Sequence, residues 1–163
     1  MLDREEITRS LTGAWELFLD RPGAMRLFDV SVDGFWRSFA AVLLVAPSYA
    51  FAVLSDRHMA AVMDPSAPAQ GDLAFIVKSV VGLGLDWIAL PVILALLAPP
   101  LGIGSRYAAF IVARNWGAVL GAIPFGAIGL LIVLGLVGGD LANLLMFVAL
   151  IVVLRYNYLI ARR

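Results

Sequence analysis

One carboxylate in this 163-residue chain sits where a carboxylate is hard to keep. Asp86 falls at the middle of Leu73–Ala98, LAFIVKSVVGLGLDWIALPVILALLA, 26 residues whose only other charge is Lys78. At about 1.5 Å per residue the stretch can cross a hydrocarbon layer of roughly 30 Å with some tilt. A charge at mid-depth costs roughly 2.5–3.5 kcal/mol on insertion scales, so it implies a partner or a purpose. Counting inward from the membrane faces puts Ser48, Tyr49 and the Pro124–Gly126 break at a similar depth. Two chemistries fit such a polar cluster. Asp86 could bind a proton or cation as intramembrane carboxylates do in transporters, with Ser48 and Tyr49 lining the route. Alternatively, Asp86 hydrogen-bonds Tyr49, Ser48 or a carbonyl freed by proline and locks the helices together, and this structural reading is preferred. Lys78 lies two turns nearer the outer face and can extend its ammonium to water.

Catalytic constellations are missing from the sequence. There is no HExxH, no GxSxG, no phosphate-binding glycine loop and no paired carboxylates within an apolar run. Gly82-Leu83-Gly84 and Gly102-Ile103-Gly104 lack the strand-and-helix setting of a nucleotide fingerprint. Without cysteine, thiolate chemistry and disulfides are ruled out. The single histidine, His58, reads as a solvated side chain in a polar loop rather than a metal ligand. The expectation is a protein that is not an enzyme and carries no cofactor or metal. A net charge of zero argues against nucleic acid as a partner.

The elements that must position these residues are membrane helices. The hydrophobic fraction is 62% and the mean hydropathy +0.94, above the roughly half-apolar composition of soluble domains. The expected fold is an all-α polytopic transmembrane bundle of four spans, with five as the alternative. Residues 1–37 form a polar N-terminal segment and residues 38–163 the bundle. The expected spans are 38–54, 73–98, 116–137 and 141–160, with an interfacial helix over 105–115. Pro47, Pro91 and Pro124 each interrupt one of the first three spans and free a carbonyl one turn earlier. A loop over 55–72 with Pro65, Ser66, Pro68 and Gly71 separates the first two spans, and Gly138-Gly139-Asp140 turns the chain into the last.

In the N-terminal segment, Asp3 followed by Glu6 resembles a capping box. Ile7, Leu11, Trp15 and Phe18 recur at helical spacing, and Arg21-Pro22-Gly23 ends the helix. These four residues are candidate docking anchors for a membrane or cytoplasmic partner protein; the alternative is a helix folded onto the chain's own bundle. Small residues mark helix contacts: Gly82 with Ser79, Asp86 and Ala89 on one face of the second span, and Gly117, Gly121 and Gly126 along the third. This pattern turns Asp86 into the bundle. Intramolecular packing is preferred, with a homo-oligomer as the alternative.

Four spans put Arg4, Arg9, Arg21, Arg26, Arg37, Arg106, Arg114, Arg155, Arg162 and Arg163 on one side, leaving Arg57 and Lys78 on the other. The positive-inside rule makes the first side cytoplasmic, with both termini there. In layout, Arg21-Pro22 before the first span and the stretch from Tyr107 through Pro124 resemble the Yip family of small polytopic membrane proteins. That resemblance implies around five spans and adaptor work; eukaryotic members associate with Rab-type GTPases in membrane trafficking. The Ala-, Gly-, Leu- and Arg-rich composition with its single lysine looks like a bacterial inner-membrane protein. The expected role is a non-catalytic scaffold, adaptor or accessory subunit in the lipid bilayer, with a small proton- or cation-coupled transporter as the alternative.

Overall fold

The structure, a computed structural model, describes residues 3–66 and 71–163. Helix α1 covers Arg4–Phe18, and a 3-10 turn covers Ala24–Leu27. Helix α2 runs Val32–Met63 through a 3-10 tightening at Phe39–Ala41. Helices α3 (Asp72–Leu101), α4 (Gly104–Val133) and α5 (Gly139–Ala161) complete the all-α bundle. Helices α2 to α5 are long and apolar enough to cross a membrane. The chain is a polytopic helical membrane protein.

Several boundaries differ from expectation, each for a local reason. Helix α2 begins early because the Ser31 hydroxyl accepts the Gly34 amide at 3.1 Å and caps it. It also continues to Met63, so Ser55–Met63 and His58 are helical rather than loop. Asp56, Arg57 and His58 are polar without being helix breakers, and they extend the helix past its apolar core. Pro68 of the expected loop lies outside the described residues. Residues 105–115 are not a separate interfacial helix. They open α4, which passes Pro124 without a break and stops at Val133. Arg114 and Asn115 suggested an interface by their polarity, but Asn115 bonds Ser38 inside the bundle and the Arg114 guanidinium lies over the Trp87 ring. Asp3 sits at the α1 N-cap without making a side-chain cap, and the Glu6 side chain, which would complete the capping box, turns instead to Arg37 at 2.8 Å.

Helix α4 is the hub. Of its apolar window 39% is buried, against 11% for α3. Gly126 and Gly129 face α2 so closely that Cβ atoms added there would lie 2.6 Å from Ser48 Cα and 2.5 Å from the Phe51 carbonyl oxygen. Gly117 faces Tyr156 and Ile160 of α5, and Gly121 faces Val153. One strip of small residues therefore serves two neighbours at different depths.

Helix α1 is folded onto this bundle. Ser10, Gly13, Ala14 and Leu17 are buried, and Ile7, Leu11 and Phe18 pack against the same core as Val112 and Trp116 of α4. The Tyr156 hydroxyl donates to the Ala14 carbonyl at 2.7 Å. At the near edge Arg37 bridges Glu6 and Asp29, the latter at 2.7 Å. Beyond α1 the backbone turns through Asp20, whose φ of 58° is left-handed. The Asp20 amide bonds the Leu17 carbonyl and the Arg21 amide the Glu16 carbonyl, which closes the helix as a Schellman motif. This turn points the Asp20 carboxylate at Arg162 and Arg163, which both bond it. The turn after α1 and the C-terminal arginines thus meet at one end of the bundle.

Hydrogen bonds from Arg162, and next from Arg163, hold the Asp20 carboxyl below the ordinary carboxylate value. A depressed folded value means that this clamp is fully present above the unfolded value of about 3.9 and is lost as pH falls below it. Titration from neutral pH to the acid range should therefore release the C-terminal arginines from α1. A pair of spin labels placed across the two segments reads this directly as a distance, without chemistry that depends on pH. Asp20→Asn should show the longer distance already at neutral pH and no acid step; a mutant retaining the step would assign it elsewhere.

Candidate polar site at the junction of α2, α3 and α4

The polar residues of the spans converge where α2 begins, on the α4 turn that carries Arg114 and Asn115. Asn115 is fully buried, and its amide nitrogen donates to the Ser38 hydroxyl at 3.0 Å. That hydroxyl donates in turn to the Phe35 carbonyl at 2.7 Å. Buried amides and hydroxyls need such partners, since an unpaired one costs about 1–3 kcal/mol. From α3 the Trp87 indole donates to the Phe39 carbonyl at 3.1 Å, next to the 3-10 tightening of α2. Tyr107 of α4 donates to the Pro91 carbonyl of α3 at 2.9 Å. Two bonds, from opposite directions, therefore fix the C-terminal half of α3.

Arg114 completes the junction. Its guanidinium lies 5.5 Å from the centroid of the Trp87 ring and 3.5 Å from the Asn115 side-chain oxygen. It also lies in the electrostatic field of Asp86, although the two do not form an ion pair among the described residues. A half-buried cation held by an aromatic face and a distant carboxylate is polar without being neutralised by contact.

Asp86 itself is exposed on the side of the bundle, and it makes no hydrogen bond or ion pair among the described residues. The expectation that it points inward is corrected. Helix α3 packs through Trp87, Pro91 and Ala98, and the bulky indole takes the contact one residue along. The upper part of the small-residue face does pack: Gly82 lies against the Tyr49 hydroxyl, 3.3 Å from a Cβ built there. From Asp86 onward the same face turns outward, with Ala89 exposed. Ser48 points elsewhere, to Gly126 of α4. The structure thus keeps Tyr49 within one turn of Asp86 but separates Ser48 from it.

Of the candidate docking anchors, Ile7, Leu11 and Phe18 are taken up by the chain's own core, and Trp15 remains 51% exposed, stacked on Phe18 at 5.6 Å. Among the described residues no group of three or more histidine or acidic side chains could hold a metal. The Asn115–Ser38 bond and the Trp87 indole were not singled out from the sequence. The available signal was the Arg114-Asn115 pair, polar inside a long apolar run with no turn residue beside it. No protein-family model matches the chain, and no curated protein or solved structure is significantly similar to it.

Proposed function

We propose that the protein is a non-catalytic accessory subunit or scaffold that holds a second transmembrane segment against α3. The carrying observation is Asp86, exposed half-way along the least buried of the four apolar helices. Facing lipid, a carboxylate within the hydrocarbon layer costs up to roughly 2.5–3.5 kcal/mol. Facing a helix that brings an arginine, a lysine or an amide to the same depth, it gains a polar contact worth about 1–2 kcal/mol by model-peptide measurements. Charge complementarity therefore favours a partner with a basic or donor residue at mid-span over a second copy, which would oppose carboxylate to carboxylate. The one-sided arginine distribution supports cytoplasmic termini in a bacterial inner membrane. Adaptor work is also what the Yip-like layout implies, although the four apolar helices number fewer than that family's usual five.

A photocrosslinking residue at Ala89, beside Asp86 on the outward face, tests this in native membranes. The expected adduct is with a different membrane polypeptide that carries a donor at mid-span, and Asp86→Leu should lower its yield about tenfold. Among the described residues Asp86, exposed on the side of the bundle, has no hydrogen bond to lose, so the bundle should remain folded. An adduct with a second copy, or an undiminished adduct in the leucine variant, overturns the proposal. The electrostatic influence of Asp86 on Arg114 favours one second reading, a small proton- or cation-coupled transporter. Proton flux through the purified chain in vesicles, abolished by Asp86→Asn, would put that reading in its place.

A further inference from the structure

A second feature lies away from α3, where the end of α1 crosses α4 and α5. An apolar groove of about 210 Å³ runs there between Leu120, Gly121 and Pro124 of α4 and Val153 of α5, with Trp15 and Phe18 of α1 over one end. It is below the roughly 300–1,000 Å³ of pockets that enclose drug-sized ligands, and its small volume and apolar lining suit a slender apolar chain. Gly121 makes the room. A Cβ there would meet only Val153, at 3.8 Å, so any larger side chain would grow into the groove.

The mouth of the groove is cationic and aromatic. Arg155 stands beside it, donating to the Phe18 carbonyl at 3.2 Å with its guanidinium 5.9 Å from the Phe18 ring centroid. It has no carboxylate partner among the described residues. Arg162 and Arg163 share the single carboxylate of Asp20, so this end of α5 keeps a positive surplus. Trp15, at the end of the groove, and Tyr158, one turn beyond Arg155, are exposed, as amphipathic rings are at a headgroup layer. Apolar walls leading deeper into the bundle, below an unpaired guanidinium at the surface, match one molecule: a lipid with an acyl chain and an anionic headgroup.

We propose that this groove binds one acyl chain of an anionic phospholipid, with the lipid phosphate against Arg155. The occupant is a membrane lipid, since a free phosphate would leave the apolar groove unfilled. Headgroup selection should be modest, because one guanidinium near a membrane surface changes affinity about fivefold.

The test uses the full-length protein reconstituted in phosphatidylcholine vesicles mixed with phosphatidylglycerol, released into detergent and weighed by native mass spectrometry. The expected result is a retained phosphatidylglycerol adduct enriched over its share of the bilayer. Gly121→Leu should remove the adduct, Gly121→Ala should keep it, and Arg155→Gln should reduce the enrichment about fivefold while phosphatidylcholine binding persists. Circular dichroism and thermal unfolding report whether the variants remain folded. Should Gly121→Leu not fold, Leu120→Trp, which fills the same groove from its wall, takes its place. Absence of a retained lipid, equal retention of both lipids by the unsubstituted protein, or an undiminished adduct in the filled groove would each overturn the proposal.

Discussion

Gly126→Leu and Gly129→Leu should each destabilise the bundle by about 3 kcal/mol, the upper end of what overpacking costs. The estimate rests on what the new side chain meets. A Cβ on Gly126 would lie 2.6 Å from both Cα and Cβ of Ser48, and one on Gly129 2.5 Å from the Phe51 carbonyl oxygen and 2.7 Å from its carbon. These are backbone positions of α2 or atoms fixed directly to them, so relief requires moving the helix rather than turning a rotamer. In lipid there is little hydrophobic force to pull the helices back together, since the tails are as apolar as leucine, and close van der Waals contact supplies most of the association. Even alanine at either position should be clearly destabilising. Gly84, which has nothing within 4 Å of an added Cβ, is the control, and its leucine variant should be close to neutral. Unfolding in a detergent titration, followed by helical circular dichroism, separates the three variants. Equal stability of Gly84→Leu and Gly126→Leu would mean that α2 and α4 do not meet at this seam.

Hydropathy made the spans legible, and the one-sided arginines made their number legible. What it left open was which helix stands at the centre. Helix α3 has the highest mean hydropathy of the four and the smallest buried share, because apolar residues in a bilayer are as well placed against lipid as against protein. Centrality was written instead in the small residues of α4, where Gly117, Gly121 and Gly126 could be read as contacts but not assigned to particular neighbours. The same limit explains Asp86. Its spacing with Ser79 and Gly82 identified the packed face in the N-terminal half of α3, but the bulk of Trp87 rotates the contact away after Gly82, and no periodicity shows that. For α1, the apolar stripe of Ile7, Leu11 and Phe18 was plain, and its target was not, since an amphipathic helix offers the same pattern to lipid, to a partner or to its own bundle. Tyr156 beneath Ala14 and the Asp20 clamp select the last of these, and both depend on residues far apart in the chain.

Asn115→Ala should cost about 2 kcal/mol, the sum of a lost buried hydrogen bond and the volume vacated by the amide. Ser38→Ala should cost about 1 kcal/mol, because it gives up the contact to Asn115 and the bond to the Phe35 carbonyl while leaving less space behind. The double variant is the decisive member of the set. If the amide and hydroxyl act through each other, its cost falls short of the sum by roughly 1 kcal/mol, within the range that such cycles give for bonds between membrane helices. Strict additivity would mean that the 3.0 Å bond contributes nothing and that Asn115 matters only as volume. The consequence extends beyond stability. Asn115 joins α4 to the start of α2, and the adjacent Phe39 carbonyl is where the Trp87 indole holds α3. Loosening the first contact should loosen the second, and with it the position of Asp86, one residue from Trp87. The Ala89 crosslink should therefore weaken in Asn115→Ala although Asn115 lies inside the bundle, whereas a variant at the far seam, such as Gly117→Ala against α5, should leave it unchanged.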